Sequence, residues 1–309
     1  MTRGAGRERS MVPEAEFRSY YGRPVIKAPI WHEPHMPTYL YLGGLSGASS
    51  VMAVMARLTG HDRLGRTARV AAALGASAGA GLLAAELGRP ERFLNMLRVF
   101  KPTSPMSVGS WILAVQGGLS AVAASSELTG MLPAVGDAAL LATGVTGPLT
   151  ATYTAVLVAD TAVPAWHEAY RELPFLFAGS ALASAGAAGM LATPPAQAGP
   201  ARAVAVLGAA METVAGAVME RRLGPAGEPY QLGRAGVLMR SARAQAAGGG
   251  LLAAVAGRSR ALAAVSGLAL TAGALCTRFG ILAAGRASAA DPKYTVVPQR
   301  RRLDGERPT

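Results

Sequence analysis

The feature that most constrains this chain is a succession of long, mild apolar runs cut by basic and proline-containing segments. Residues 39–56, 70–87, 108–125, 138–159, 174–192, 203–219 and 261–285 each approach or exceed the length of a membrane crossing. The hydrocarbon core they would cross is about 30 Å thick. No water is available there to bond the backbone, so each run is expected to be a helix. A weaker run, 244–257, is short for a span. It reaches full length only by taking in Arg240 and Arg243, with their side chains snorkelling to the interface. The expected fold is an all-α membrane protein of about eight transmembrane helices. Residues 1–36 read as a proline-broken arm, 37–285 as the transmembrane domain and 286–309 as a basic tail.

Charge supports this reading over a nucleic-acid binder. The net charge is +12, yet only 16% of residues are charged, against about a quarter in soluble proteins. The basic residues lie between the apolar runs and at the two ends, and no zinc-finger or RNA-binding aromatic motif accompanies them. No nucleic-acid partner is expected; the lipid bilayer is. With eight spans and an inside N-terminus, 22 Lys and Arg fall on the inner side and 7 on the outer. That bias predicts cytoplasmic N- and C-termini in a multi-pass protein of the cell's inner or plasma membrane. No apolar stretch follows Arg3, Arg7 and Arg9 before about residue 38, so no cleaved signal peptide is expected.

The metal-binding residue types are sparse. Cys276 is the single cysteine, so no iron–sulfur cluster is expected on this chain. His32, His35, His61 and His167 fall in loops or at span ends, where they could not serve as axial ligands to a haem held within the spans. His32 and His35 lack companion ligands, so no metal is expected either. Small residues at four-residue spacing, Gly43 with Gly47 and Gly75 with Gly79, suit close helix contacts.

Alternating span direction turns scattered ionisable residues into a group. Glu86 ends the second span, Tyr153 lies near the same end of the fourth, and Glu212 and Arg278 lie at comparable depth in the sixth and eighth. His32 and His35 precede the first span on that side. Ionisable groups inside a membrane are costly and mark functional positions. An interfacial carboxylate, an aromatic belt or a structural Glu212–Arg278 pair would be the blander accounts.

Two segments carry a family resemblance. Glu86-Leu87-Gly88-Arg89-Pro90-Glu91-Arg92-Phe93 is followed by Lys101-Pro102-Thr103-Ser104-Pro105-Met106-Ser107-Val108-Gly109. Together they resemble the loop between the second and third helices of the NrfD/polysulfide-reductase membrane subunits. Tyr20-Tyr21-Gly22-Arg23-Pro24-Val25-Ile26-Lys27, Arg278-Phe279-Gly280, Asp291-Pro292 and Pro298-Gln299-Arg300 resemble its actinobacterial branch. The resemblance covers nearly the whole chain. It implies two four-helix bundles and a quinone-reactive membrane anchor without a redox cofactor of its own, acting on a quinone, menaquinone being the expected one. It also implies two partners, a four-cluster ferredoxin-like iron–sulfur subunit and a molybdopterin catalytic subunit. Glu86 stands where the family commonly has Asp, and Tyr153-Thr154-Ala155 lacks the glycine of the family's Tyr-Ser/Thr-Gly. The family's histidine near the first helix corresponds to His32 or His35.

Quinone reduction takes two electrons and two protons, so a site needs hydrogen-bond donors and a titratable relay. Glu86 and Tyr153 are the expected catalytic residues, with His32, His35 and Arg278 beside the quinone and Glu212 on a proton path. Arg89, Arg92, Lys101, Ser104 and Met106 are expected to dock the iron–sulfur partner. A polytopic transporter or proton channel using Glu212 and Arg278, and a structural anchor without an active quinone site, are the rival readings. The long loop from Arg89 to Met106 favours a docking anchor over the transporter, and binding of a quinone analogue separates the active site from the structural anchor.

Overall fold

The computed structural model describes residues 25–87 and 90–298, the side chains of residues 90–92 excepted. No strand occurs among them. Eight long helices alternate in direction: α1 (His35–Leu58), α2 (Asp62–Glu86), α3 (Pro105–Thr129), α4 (Pro133–Ala159), α6 (Leu173–Ala192), α7 (Gly199–Leu223), α8 (Gly233–Val255) and α9 (Arg260–Ala290). A short helix, α5 (Pro164–Glu168), and 3-10 turns at Pro90–Leu97 and Gly224–Tyr230 connect them. Seven of the long helices are long and apolar enough to cross a membrane. The exception is α8, whose first three turns carry Arg234, Arg240 and Arg243. Its 23 residues still extend about 33 Å at 1.5 Å per residue. The helix thus runs back over all three arginines, and α9 runs on past residue 285 to Ala290.

Local chemistry sets the helix ends. Ser104 caps α3 by accepting from the Ser107 N–H at 3.4 Å, with Pro105 in the first turn. Gly130 closes α3 in the left-handed region at φ 71°, which a residue without Cβ adopts freely. Ser259 caps α9 through the Leu262 N–H at 3.3 Å. Pro148 lies inside α4 and withdraws one backbone donor, a loss that neighbouring helices can absorb in a membrane.

Contacts fall into two sets. In one, α1 packs on α2 and α4, and α3 packs on both of those; in the other, α6 packs on α7 and α9, and α8 packs on both of those. The sets meet where α6 touches α1 and α4 and where α1 touches α9. Glycine lets the backbones approach. A side chain on Gly208 of α7 would run into backbone atoms of Gly179, Leu182 and Ala183 on α6. Gly47 meets the α4 backbone at Gly147, and Gly75 meets α1 at Leu42 and Ser46. Gly79 makes ordinary contact with Leu42 and Tyr39, whereas Gly43 faces open space.

Alternating direction defines two ends. One carries the start of α1 with Glu86, Pro105, Ala159, Leu173, Leu223, Gly233 and Ala290; the opposite end carries the remaining helix termini.

Candidate functional site

At the Glu86 end a cavity of about 290 Å³ opens between α1, α2, α3 and α4. His32, Glu86 and Tyr153 line it, together with Tyr39, Met106 and Gly109. Trp31 and Ile30 of the segment before α1 form its outer wall.

Glu86 is the hub. Its side chain is only 9% exposed. Oε1 accepts from the His32 backbone N–H at 2.6 Å and meets His32 Nδ1 at 3.1 Å. Oε2 lies 3.6 Å from His35 Nδ1 and has no hydrogen-bond partner. Two exposed imidazoles therefore flank a nearly buried carboxyl that keeps one oxygen uncommitted. Groups able to exchange protons with water and with a ligand meet at one point.

Deeper in the cavity the hydroxyls of Tyr153 and Tyr39 are hydrogen-bonded to each other. Tyr39 is buried and Tyr153 half-buried. The Tyr153 ring lies directly over Gly109, where any Cβ would overlap it. That contact gives the last residue of the Ser-Pro-Met-Ser-Val-Gly motif a physical reason.

A second cavity, about 230 Å³, shares Leu83, Met96 and Ser110 with the first. It continues between α2 and α3 along Ala76, Ala80, Leu113 and Gly117, under Phe93 of the 3-10 turn. The first cavity is the one lined by ionisable groups, and the adjoining one is mostly apolar.

The segment before α1 is tied to both helix sets. His32 is held by Glu86 of α2, while Glu33 pairs with Arg234 of α8 at 2.6 Å and Arg286 of α9 at 3.2 Å. Trp31 stacks on Trp166 of α5 at 5.2 Å between centroids, and Arg286 donates to the Trp31 carbonyl. Trp166 in turn donates to Ile281 O at 2.7 Å.

His32, His35, Glu86, Tyr153 and Met106 thus come together. Arg278, expected with them, does not line the cavity. It is buried in the other helix set, 3.6 Å over the Phe177 ring, donating to Phe177 O at 3.2 Å. Its Nε and Nη1 have no partner. Glu212 accepts from Thr277 at 2.6 Å and beside it is a space of only about 20 Å³, room for a single water. No ion pair within 4.0 Å joins Glu212 to Arg278, although each lies in the other's field. Lys101 is exposed, its backbone N–H held by Ser107 Oγ at 3.0 Å, and Ser104 is spent on the α3 cap. Arg89 and the side chain of Arg92 lie outside the described residues. In the connection between α2 and α3 and at the start of α3, which borders the cavity through Met96 and Met106, the apolar residues Leu94, Val99, Phe100 and Met106 are exposed. Among the described residues no three His, Cys, Asp or Glu side chains are disposed to hold a metal.

Sequence reasoning missed Tyr39. It lies four residues after His35, one helical turn on, a spacing that could have pointed to it.

Fold and site define a polytopic helical membrane protein with an acid–histidine–tyrosine cavity at one end. The family model for polysulphide reductase, NrfD, matches residues 24–219, and the chain belongs to that family. The match takes in the whole cavity and stops within α7. No curated protein matches the chain.

Proposed function

We propose that this chain is the quinone-reactive membrane subunit of an iron–sulfur/molybdopterin oxidoreductase complex, passing electrons between an iron–sulfur partner and the membrane quinone pool. The carrying observation is the pair of adjoining cavities: proton-exchanging groups line one, and an apolar trough between α2 and α3 that shares Leu83, Met96 and Ser110 lies beside it. A quinone has this shape, a polar ring on an isoprenoid tail. One ring carbonyl faces Glu86 with His32 and His35, and the other faces the Tyr39–Tyr153 pair. Menaquinone is the expected species. Electrons come from a four-cluster ferredoxin-like subunit seated on the connection between α2 and α3, with Lys101, Ser104 and Met106 in its footprint and Arg89 and Arg92 adding charge. That subunit exchanges electrons with a molybdopterin catalytic subunit.

The binding test uses the purified full chain and a short-chain menaquinone analogue, followed by quenching of tryptophan fluorescence, because Trp31 forms part of the cavity wall. Saturable quenching is expected. Tyr153→Phe removes one donor worth roughly 0.5–1.5 kcal/mol and weakens binding by up to about tenfold. Equal affinity in Tyr153→Phe takes that hydroxyl out of the site, and no saturable quenching overturns the quinone reading.

The Glu86 end is proposed to face the cytoplasm, with both chain termini there, on the basis of the 22-to-7 Lys and Arg bias. A C-terminal reporter active only outside the membrane is expected to be silent. Strong external activity reverses the orientation and moves the docking face with it.

A further inference from the structure

In the second helix set, α7 packs far more extensively on α6, and α8 on α9, than α7 and α8 pack on each other. At the end away from Glu86 the boundary between α7 and α8 opens into a groove of about 500 Å³. Its walls are Val206, Leu207 and Ala210 of α7 and Ala253 and Ala254 of α8. The alanines supply the space, because longer side chains at those positions would fill it. Leu207, Ala210 and Ala254 are exposed, so the groove opens outward from the bundle. From Arg202, which also lines it, to Ala210 it runs about 12 Å along the helix axis. One leaflet of the hydrocarbon core is about 15 Å deep.

Charge gathers at the same end. Arg202 lies in the first turn of α7 and makes no ion pair; its Nη1 reaches only the Pro195 carbonyl, at 3.4 Å. Arg258 follows α8 in an exposed turn, and no acidic side chain among the described residues pairs with it. Arg260 donates to the Met190, Leu191 and Thr193 carbonyls and so closes α6. Residues 173–211 and 229–290 contain no Asp or Glu, so the second set offers these arginines no counter-ion here. The first set is different at this end: Arg57 pairs with Asp137 and Arg69 with Glu127. The start of α7 adds to the positive field, since its N-cap residue, Ala198, provides no side-chain acceptor.

A single arginine at a span end can snorkel among ordinary headgroups. That accounts for Arg202 or Arg258 taken alone. It does not account for an acid-free end that coincides with an outward groove of nearly one leaflet's depth.

We propose that the groove binds an anionic phospholipid, its phosphate held by Arg202 and Arg258 and one acyl chain lying between α7 and α8. The ligand class follows from the two parts of the site. A zwitterionic lipid brings its own cation and gains less from unpaired arginines. A phosphate without a chain leaves the groove empty. The bound chain supplies contact that α7 and α8 do not make with each other, and it steadies α8, the long helix least suited by composition to cross a membrane. The proposal is independent of the quinone reading and of which way the chain faces.

The test titrates dioleoyl phosphatidylglycerol into the purified full chain in a nonionic detergent, followed by native mass spectrometry and thermal denaturation. One retained phosphatidylglycerol per chain and a rise in melting temperature are expected. Dioleoyl phosphatidylcholine is expected to bind about tenfold more weakly, and inorganic phosphate is expected not to stabilise. Arg202→Gln/Arg258→Gln is expected to weaken phosphatidylglycerol binding by about tenfold or more. Ala254→Phe, which fills the groove and leaves both charges, is expected to weaken it in the same direction. Arg63→Gln/Arg66→Gln, at the same end of the first set, is the control and is expected to bind as the wild type does. Arg258→Gln, in an exposed turn, carries the charge arm if the double variant does not assemble. Equal binding of the two lipids, or wild-type affinity in the Arg202 and Arg258 variants, overturns the phosphate site. Wild-type affinity in Ala254→Phe overturns the groove, and stabilisation by inorganic phosphate alone replaces the lipid with a free anion and overturns the proposal.

Discussion

Glu86→Gln is expected to lower quinone-linked turnover on the order of a hundredfold, the size of effect typical when a positioned acid–base group is lost. Glu86→Asp is expected to stay near the wild type, and all three proteins are expected to assemble. The reasoning separates charge from shape. Glutamine keeps the length of the side chain and can still accept from the His32 N–H, as Oε1 does at 2.6 Å. It cannot release and recover a proton at the second oxygen, the one left without a hydrogen-bond partner beside His35. Aspartate restores the acid at the expense of one methylene. Turnover is measured in membranes carrying the complex, with a soluble quinone. Normal turnover in Glu86→Gln removes the carboxyl from the mechanism. Loss of assembly in that variant instead makes Glu86 a brace for the segment before α1.

The second large effect is structural. Gly208→Val is expected to prevent stable assembly, and Gly208→Ala to destabilise by at least the 1–3 kcal/mol typical of overpacking. A Cβ at Gly208 meets backbone on α6, and backbone cannot move aside as the end of a long side chain can. Without room there, α6 and α7 must separate, and the contact that joins them is lost along its length. Gly118→Ala on α3 is the control, because a Cβ there meets nothing within 4 Å. Thermal denaturation of the purified proteins in one detergent distinguishes them. Equal melting of Gly208→Ala and the wild type overturns the close-packing account.

The helical plan was legible in the sequence because lipid imposes a strong rule: a crossing segment must be long, apolar and helical. The least legible element was α8, whose Arg234, Arg240 and Arg243 hide its first turns. The grouping of His32, His35, Glu86 and Tyr153 was legible from alternation alone, since each reversal of direction assigns a residue to one end. The same reasoning grouped Arg278 with them and misplaced it. Depth in a membrane follows from counting residues along a span, but the direction a side chain faces depends on which helices pack together. Arg278 has a depth suited to the cavity and belongs to a helix of the other set. Tyr39 was illegible for a related reason: a tyrosine near the start of a span is an ordinary interfacial residue until a partner hydroxyl is found opposite. Buried Gln116 of α3 bonds to Ser50 of α1 and Thr146 of α4, a grouping that spacing along any one helix does not reveal.

The segment carrying Trp31, His32 and Glu33 has a consequence for how the molecule holds together. It walls a cavity whose floor belongs to α1–α4, yet Arg234, Arg286 and Trp166 anchor it to the other set. A ligand that gains affinity from this wall must, by thermodynamic reciprocity, strengthen the wall's hold in return. Any ligand bound against this wall then acts as a rivet across the seam between the two halves. Detergents that pry the seam open loosen the ligand, and saturating ligand resists the prying.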